Sequence, residues 1–204
     1  MTEHVSTRIR RAAVDGQLIA RCVSHLTNPG LIAIPLVLSV AWRATTSWRE
    51  AFLWGGPYLL LADVCPMTLL ILLGRWGWAV DLEHACRRER LKPLLVSLGF
   101  VGLTAALYQH IHAPFLLRRL AWVQMVQAAL MTAITPFWQI SFHGATAGAL
   151  AAVGLILYGM ETWPLLGLLP LVGWAQVERG RHTLAQVAVG ALLSLLFYSV
   201  GFGL

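Results

Sequence analysis

"AFLWGGPYLLLADVCPMTLLILL", Ala51 to Leu73, is an unbroken apolar run of 23 residues whose one charged side chain is Asp63. A helix needs about 20 such residues to cross the hydrocarbon core of a bilayer. Outward from this run the same character recurs along nearly the whole chain of 204 residues, which is 58% hydrophobic and only 12% charged. An ordinary soluble domain carries about 25% charged residues. With a mean hydropathy of +0.69, the composition predicts an all-α, polytopic integral membrane bundle and leaves no room for a separate soluble domain. The chain is therefore read as a single transmembrane domain over residues 1–204.

Seven spans are predicted: Leu31 to Ala44, Ala51 to Leu73, Leu94 to Gln109, Pro114 to Trp138, Ala145 to Met160, Trp163 to Val177 and Thr183 to Leu204. The first and sixth are short, so the expected number of transmembrane helices is six to seven. Residues 1–28 place Arg8, Arg10, Arg11 and Arg21 among Val5, Ile9, Leu18 and Ile19, the pattern of an amphipathic helix on the membrane surface. No compact apolar core followed by a small-residue cleavage site precedes the first span, so a cleaved signal peptide is not expected.

With seven spans, the N-terminus and the connections after spans two, four and six share one side of the membrane. That side holds Arg8, Arg10, Arg11, Arg21, Arg75, Arg87, Arg88, Arg90, Lys92, Arg179 and Arg181, leaving Arg43, Arg49, Arg118 and Arg119 of the 15 basic residues for the other. The positive-inside bias makes the richer side cytoplasmic and places the chain in the cell (inner) membrane. The same bias, with attraction to anionic lipid, accounts for the net charge of +6, and no nucleic-acid partner is expected. Cys22, Cys65 and Cys86 are odd in number and lack metal-type spacing, so neither a disulfide framework nor a zinc site is expected.

Three segments on the predicted cytoplasmic side contain nearly all the reactive side chains. They are "DLEHACRRERLKP" from Asp81, "QISFHGATAG" from Gln139 and "VERGRHTLAQ" from Val177. Connections on one face of a compact bundle can meet, so Arg87, Arg88, Arg90, Lys92, His143, Arg179, Arg181 and His182 could line one pocket.

The segment "ISFHGATAG" resembles the Ser-x-His element of the type-2 phosphatidic acid phosphatase superfamily, the integral-membrane lipid phosphatases related to vanadium haloperoxidases. "GRHTLAQVAVGALLS" is similar to the final motif of that superfamily, and "RRERLKP" to its first, basic motif; together they cover residues 81–194. The resemblance implies that His182 is the nucleophile that takes the phosphoryl group and His143 the general acid that protonates the leaving oxygen. One imidazole must be neutral to attack and the other protonated to donate, which calls for two histidines with different neighbours. Gln186, one turn beyond His182, would accept from the imidazole and fix its tautomer. Arg87, Arg88, Arg90, Lys92, Arg179 and Arg181 would bind the phosphoryl oxygens through planar, permanently charged donors, with Ser141 adding a hydrogen bond. Such clamping is a large share of phosphoryl-transfer catalysis and needs no metal or other cofactor here.

Two positions depart from the motifs. Ala85 stands where the first motif opens with a cation, and Gln176 stands where the third carries an arginine. The expected substrate is an isoprenoid or glycerolipid phosphate or diphosphate. An alternative uses Asp81, Glu83 and Asp63 to hold Mg²⁺ against a prenyl diphosphate, making the protein a membrane-embedded terpene cyclase or lyase. A non-catalytic lipid-phosphate binding or transport protein is the third reading.

Other features have plainer explanations. "QHIHAP", with His110 and His112, falls on the opposite side from the motifs and reads as an interfacial turn. The nine tryptophans divide between the two interfaces as an aromatic belt. "GATAGALAAVG" from Gly144 supplies small residues for close helix packing.

Overall fold

The computed structural model describes residues 15–75 and 91–203, and every regular element among them is helical. Helix α1 is described over Asp15–Leu26. It is followed by α2 (Pro29–Ala44), α3 (Trp48–Leu59), α4 (Cys65–Leu73), α5 (Leu91–His110), α6 (Phe115–Ile134), α7 (Phe142–Tyr158), α8 (Leu168–Glu178) and α9 (Leu184–Gly203). Four helical stretches are long and apolar enough to cross a membrane: Trp48–Leu73, Leu91–His110, Phe142–Glu178 and Leu184–Gly203. A fifth is counted when α1 and α2 are taken as one broken span.

Local chemistry explains where these helices begin and bend. Asn28 caps α2, its Oδ1 accepting from the Gly30 N–H at 3.0 Å with Pro29 in the first turn. The resulting break turns α1 by 40° from α2. The quoted run Ala51 to Leu73 is α3 and α4 joined through a π-helical turn, Leu60–Val64. Pro57 and Pro66 flank that turn and each removes a backbone donor, which the wider turn accommodates.

The stretch Phe142–Glu178 is two arms and not one rod. Gly159 has φ of 78°, a conformation that favours glycine, and the 3-10 segment Gly159–Gly167 folds back on α7. A Cβ on Gly154 would come within 2.6 Å of Leu165 Cδ1 and 3.3 Å of Thr162 Oγ1. Helix α8 consequently returns antiparallel to α7 and packs on both α7 and α9.

Helix α7 sits at the centre, with an almost continuous buried face from Gly144 to Gly154. Its small residues allow backbone contact with α9. A Cβ on Gly148 would lie 2.6 Å from the Ala191 carbonyl oxygen, and one on Gly190 2.5 Å from that of Ser141. Helix α6 carries Arg118, Arg119, Gln124 and Gln127, and is not among the four stretches long and apolar enough to cross a membrane. Its glutamines are internally satisfied: Gln124 Oε1 accepts from the Tyr58 hydroxyl at 2.7 Å, and Gln127 Nε2 donates to Ser194 Oγ.

Long-range bonds fix which helix ends lie together. Arg43 Nε donates to the Leu157 carbonyl at 3.2 Å, and the Tyr158 hydroxyl donates to the Ser39 carbonyl at 2.7 Å. The C-terminal ends of α2 and α7 are therefore neighbours, and their starts, Asn28 and Ser141, share the opposite end of the bundle. Helix α8 ends there and α9 begins there.

Candidate functional site

The connection from α8 to α9 is held by two caps. At the end of α8, Gly180 adopts φ of 64°, and the chain turns so that the N–H groups of Arg181 and His182 both point to the Gln176 carbonyl, at 3.0 and 3.4 Å. At the start of α9, Thr183 Oγ1 accepts from the Gln186 N–H at 3.3 Å while Gln186 Oε1 accepts from the Thr183 N–H at 3.0 Å. This reciprocal pair is a capping box. Arg179, Arg181 and His182 are thus carried on a short, tightly bonded turn, with the cations at the negative end of the α8 dipole.

Helix α7 starts against that turn. The Ser141 N–H donates to the Gln186 carbonyl at 3.2 Å, and Ser141 Oγ accepts from the Gly144 N–H at 3.3 Å as the helix cap. Two residues on, His143 is half-buried; its imidazole lies near the backbone of Ser24 and in the electrostatic field of His182, Arg179 and Arg181. The two histidines, 39 positions apart by their numbers, are brought together with two arginines at one end of the bundle.

Ser24 belongs to α1 and joins three elements. Its Oγ accepts from Gln176 Nε2 at 2.9 Å and from an Arg179 guanidinium N–H, while its backbone meets His143. Ser24 and Gln176 are each 1% exposed. This connection seats α1 beside the α8–α9 turn. Between them lies a cavity of about 350 Å³ lined by Gln17, Arg21, His25, Arg179 and Arg181. Neither His143 nor His182 is in that lining; they adjoin it beside Arg179 and Arg181.

The expected site residues are therefore distributed unevenly. His143, His182, Arg179 and Arg181 converge. Ser141, expected to donate to phosphate, is 0% exposed and caps α7. Gln186, expected to accept from the His182 ring, has its amide oxygen on the Thr183 N–H; the spacing that suggested a tautomer partner is also that of a cap. Gln176 is a buried tether between helices, which explains why a long charged side chain does not stand there. Lys92 is exposed in the first turn of α5. Arg87, Arg88 and Arg90, like the Mg²⁺ candidates Asp81 and Glu83, lie outside the described residues.

Asp63, the remaining carboxylate of the Mg²⁺ reading, lies in the π-helical turn near the buried phenols of Tyr58 and Tyr198. Among the described residues, no three His, Cys, Asp or Glu side chains group closely enough to hold a metal ion.

Sequence reasoning missed Gln17, Arg21, Ser24 and His25. The signal was present, since Gln17, Arg21 and His25 recur every four residues and so share one helix face. A membrane-surface helix and a pocket wall call for the same residue types, and the sequence pattern places the arginine of this stripe on a surface amphipathic helix.

The fold and site together define a multi-pass, membrane-type helical protein with a cationic pocket at one end of the bundle. No protein-family model, no curated protein and no solved structure matches the chain.

Proposed function

We propose that this protein is an integral-membrane phosphatase acting on an isoprenoid or glycerolipid phosphate. The observation that carries the reading is the meeting of His143 and His182 with Arg179 and Arg181, from segments separate in sequence, beside a cationic cavity. A lipid phosphate would place its oxygens against the arginines and its apolar tail along the lipid-facing helices. His182 attacks phosphorus while the bond to the leaving oxygen breaks, and His143 gives that oxygen a proton. Water then attacks the phosphohistidine, losing a proton to His143, and inorganic phosphate leaves. An imidazolium at position 143 would face two guanidinium groups, so the dianionic substrate itself favours the protonated acid.

In this reading the chain crosses the membrane seven times, through α2, α3–α4, α5, α6, α7, α8 with its 3-10 segment, and α9. The site end is cytoplasmic, because Arg21, Arg75, Lys92, Arg179 and Arg181 accompany it, and the membrane is the cell membrane.

The test is turnover of farnesyl diphosphate and of a phosphatidic acid by purified protein, with EDTA or with Mg²⁺. The expected result is release of inorganic phosphate and free alcohol or diacylglycerol that survives EDTA and disappears in His182→Ala, with the variant still folded. Full turnover by His182→Ala would remove the nucleophile. A hydrocarbon product formed only with Mg²⁺ would replace the reading by a prenyl-diphosphate cyclase or lyase.

A further inference from the structure

Asp63 is the one charged residue of the apolar run Ala51 to Leu73, and it stands well inside the span Trp48–Leu73. It belongs to the π-helical turn Leu60–Val64, next to Pro66, which has no N–H to give to the carbonyl oxygens of that turn. The residue is partly accessible, yet its Oδ2 is buried and accepts no hydrogen bond among the described residues.

The surroundings offer oxygen lone pairs in place of donors. Asp63 lies near the buried phenols of Tyr58 on α3 and Tyr198 on α9. Tyr58 packs edge-on against Tyr108 of α5, with ring centroids 5.2 Å apart. The Tyr58 hydroxyl donates to Gln124 Oε1 at 2.7 Å, and that of Tyr108 donates to the Trp54 carbonyl. A hydroxyl has one proton to give, so the phenol of Tyr58 turns lone pairs and no donor toward the carboxyl. The charged residues of the neighbouring helices stand at their ends: Arg49 and Glu50 in the first turn of α3, Lys92 at the start and His110 at the end of α5, and Arg118 and Arg119 in the first turn of α6. Helix α4 adds only the thiol of Cys65, and α9 carries no charged residue. Arg75, at the end of the span, is 12 positions beyond Asp63, about 18 Å along a helix.

A bare carboxylate inside the hydrocarbon layer is costly, and facing it with lone pairs adds to the cost. A small cation between the carboxylate and the phenol oxygens removes both penalties. We infer that Asp63 is a binding site for a monovalent cation in the membrane interior, with the phenol oxygens of Tyr58 and Tyr198 as its neutral partners. One carboxylate among uncharged oxygens suits a single positive charge, and among the described residues no three His, Cys, Asp or Glu side chains gather as a divalent site would need. The two sources of that charge are a proton and Na⁺. The inference is independent of the phosphatase reading.

The test uses the full chain in nanodiscs with dicyclohexylcarbodiimide, an apolar reagent that takes the proton of a carboxylic acid onto its nitrogen while the carboxyl oxygen bonds to its central carbon; rearrangement leaves a stable acylurea. Labelled peptides are mapped by mass spectrometry across a pH series, in choline chloride and in NaCl. The expected result is labelling of Asp63 that falls at least fivefold as pH rises and the proton leaves, with the exposed Glu50 unlabelled. Suppression by NaCl at fixed pH identifies Na⁺ as a competing ligand, and indifference to NaCl leaves the proton alone; either supports the inference.

Thermal melts of wild type and Asp63→Asn supply a second readout that does not need the reagent to reach the site. Cation binding to the folded protein makes wild type lose stability relative to Asp63→Asn as pH rises, with recovery in NaCl where Na⁺ is the ligand. Labelling of Asp63 that does not change with pH or salt would overturn the inference, as a carboxyl that never exchanges its proton. Absence of labelling together with a melting difference constant in pH and NaCl would also overturn it, as a carboxylate fixed to a basic side chain. Phosphate release is assayed apart from both readouts, so its absence would remove the phosphatase reading and leave this inference standing.

Discussion

Gln176 Nε2 donates to Ser24 Oγ at 2.9 Å across 152 positions of sequence, with both side chains 1% exposed. This bond is where the first described helix meets the turn that carries His182. It connects the seating of α1 to the geometry of the candidate site.

Removing one partner leaves a buried amide donor unsatisfied, at a cost of about 1–3 kcal/mol. Ser24→Ala is therefore expected to lower the unfolding temperature in detergent and to increase protease sensitivity within α1. Gln176→Arg, which installs the cation of the motif, is expected to destabilise the protein without improving phosphate binding, because a charge would replace a nearly inaccessible amide. Thermal melts and phosphate titrations of the two variants check this; tighter phosphate binding by Gln176→Arg would show that position 176 faces the ligand.

The contact between α7 and α9 makes a second prediction. Gly190→Ala would place its Cβ 2.5 Å from a backbone oxygen, and Gly148→Ala 2.6 Å from another, so each is expected to cost about 1–3 kcal/mol or more as the helices are forced apart. Gly99→Ala, whose new methyl meets nothing within 4 Å beyond its own stretch of helix backbone, is expected to be neutral or slightly stabilising because alanine favours the helix. Parallel melts of the three variants give the comparison.

The cap on α9 separates a structural role for Gln186 from a chemical one. Thr183→Ala and Gln186→Ala should each cost about 1 kcal/mol, and the double variant less than their sum because they break the same reciprocal pair. Gln186→Glu preserves a capping-box residue and should retain stability. A double-mutant cycle by chemical denaturation measures the coupling; full additivity would show that the pair does not act as one cap.

The antiparallel course of α7 and α8 predicts opposite sides of the membrane for Met160 and Glu178, both exposed. In a background with Cys22, Cys65 and Cys86 replaced by serine, a membrane-impermeant maleimide applied from outside is expected to label Met160→Cys and spare Glu178→Cys. Labelling both from one side would mean that α8 does not cross.

The resemblance between the pattern of the sequence and the bundle is strongest where the cause is local. The run from Ala51 to Leu73 falls within one long helix, Trp48–Leu73, because apolar side chains and intrahelical bonding are properties of neighbours in the chain. The break between Tyr158 and Leu168 was legible in the Gly-Met-Glu-Thr-Trp-Pro sequence, and the small residues of α7 suggested close packing. The particular partners were not legible: Gly190 against the Ser141 carbonyl depends on how two helices are placed, and no local pattern encodes that distance.

By itself the sequence determined an all-helical, membrane-type chain and the clustering of its basic residues in a few segments, since hydropathy and charge are sums over residues. Tertiary structure decided that His143 meets His182 and Arg179, that Ser141, Gln176 and Gln186 are bonded into the scaffold, and that α1 supplies Arg21 and His25 to the cavity. Each of those outcomes turns on the direction of a side chain between packed helices. A residue type states which bonds a side chain can make; only its surroundings in three dimensions decide which of them it does make.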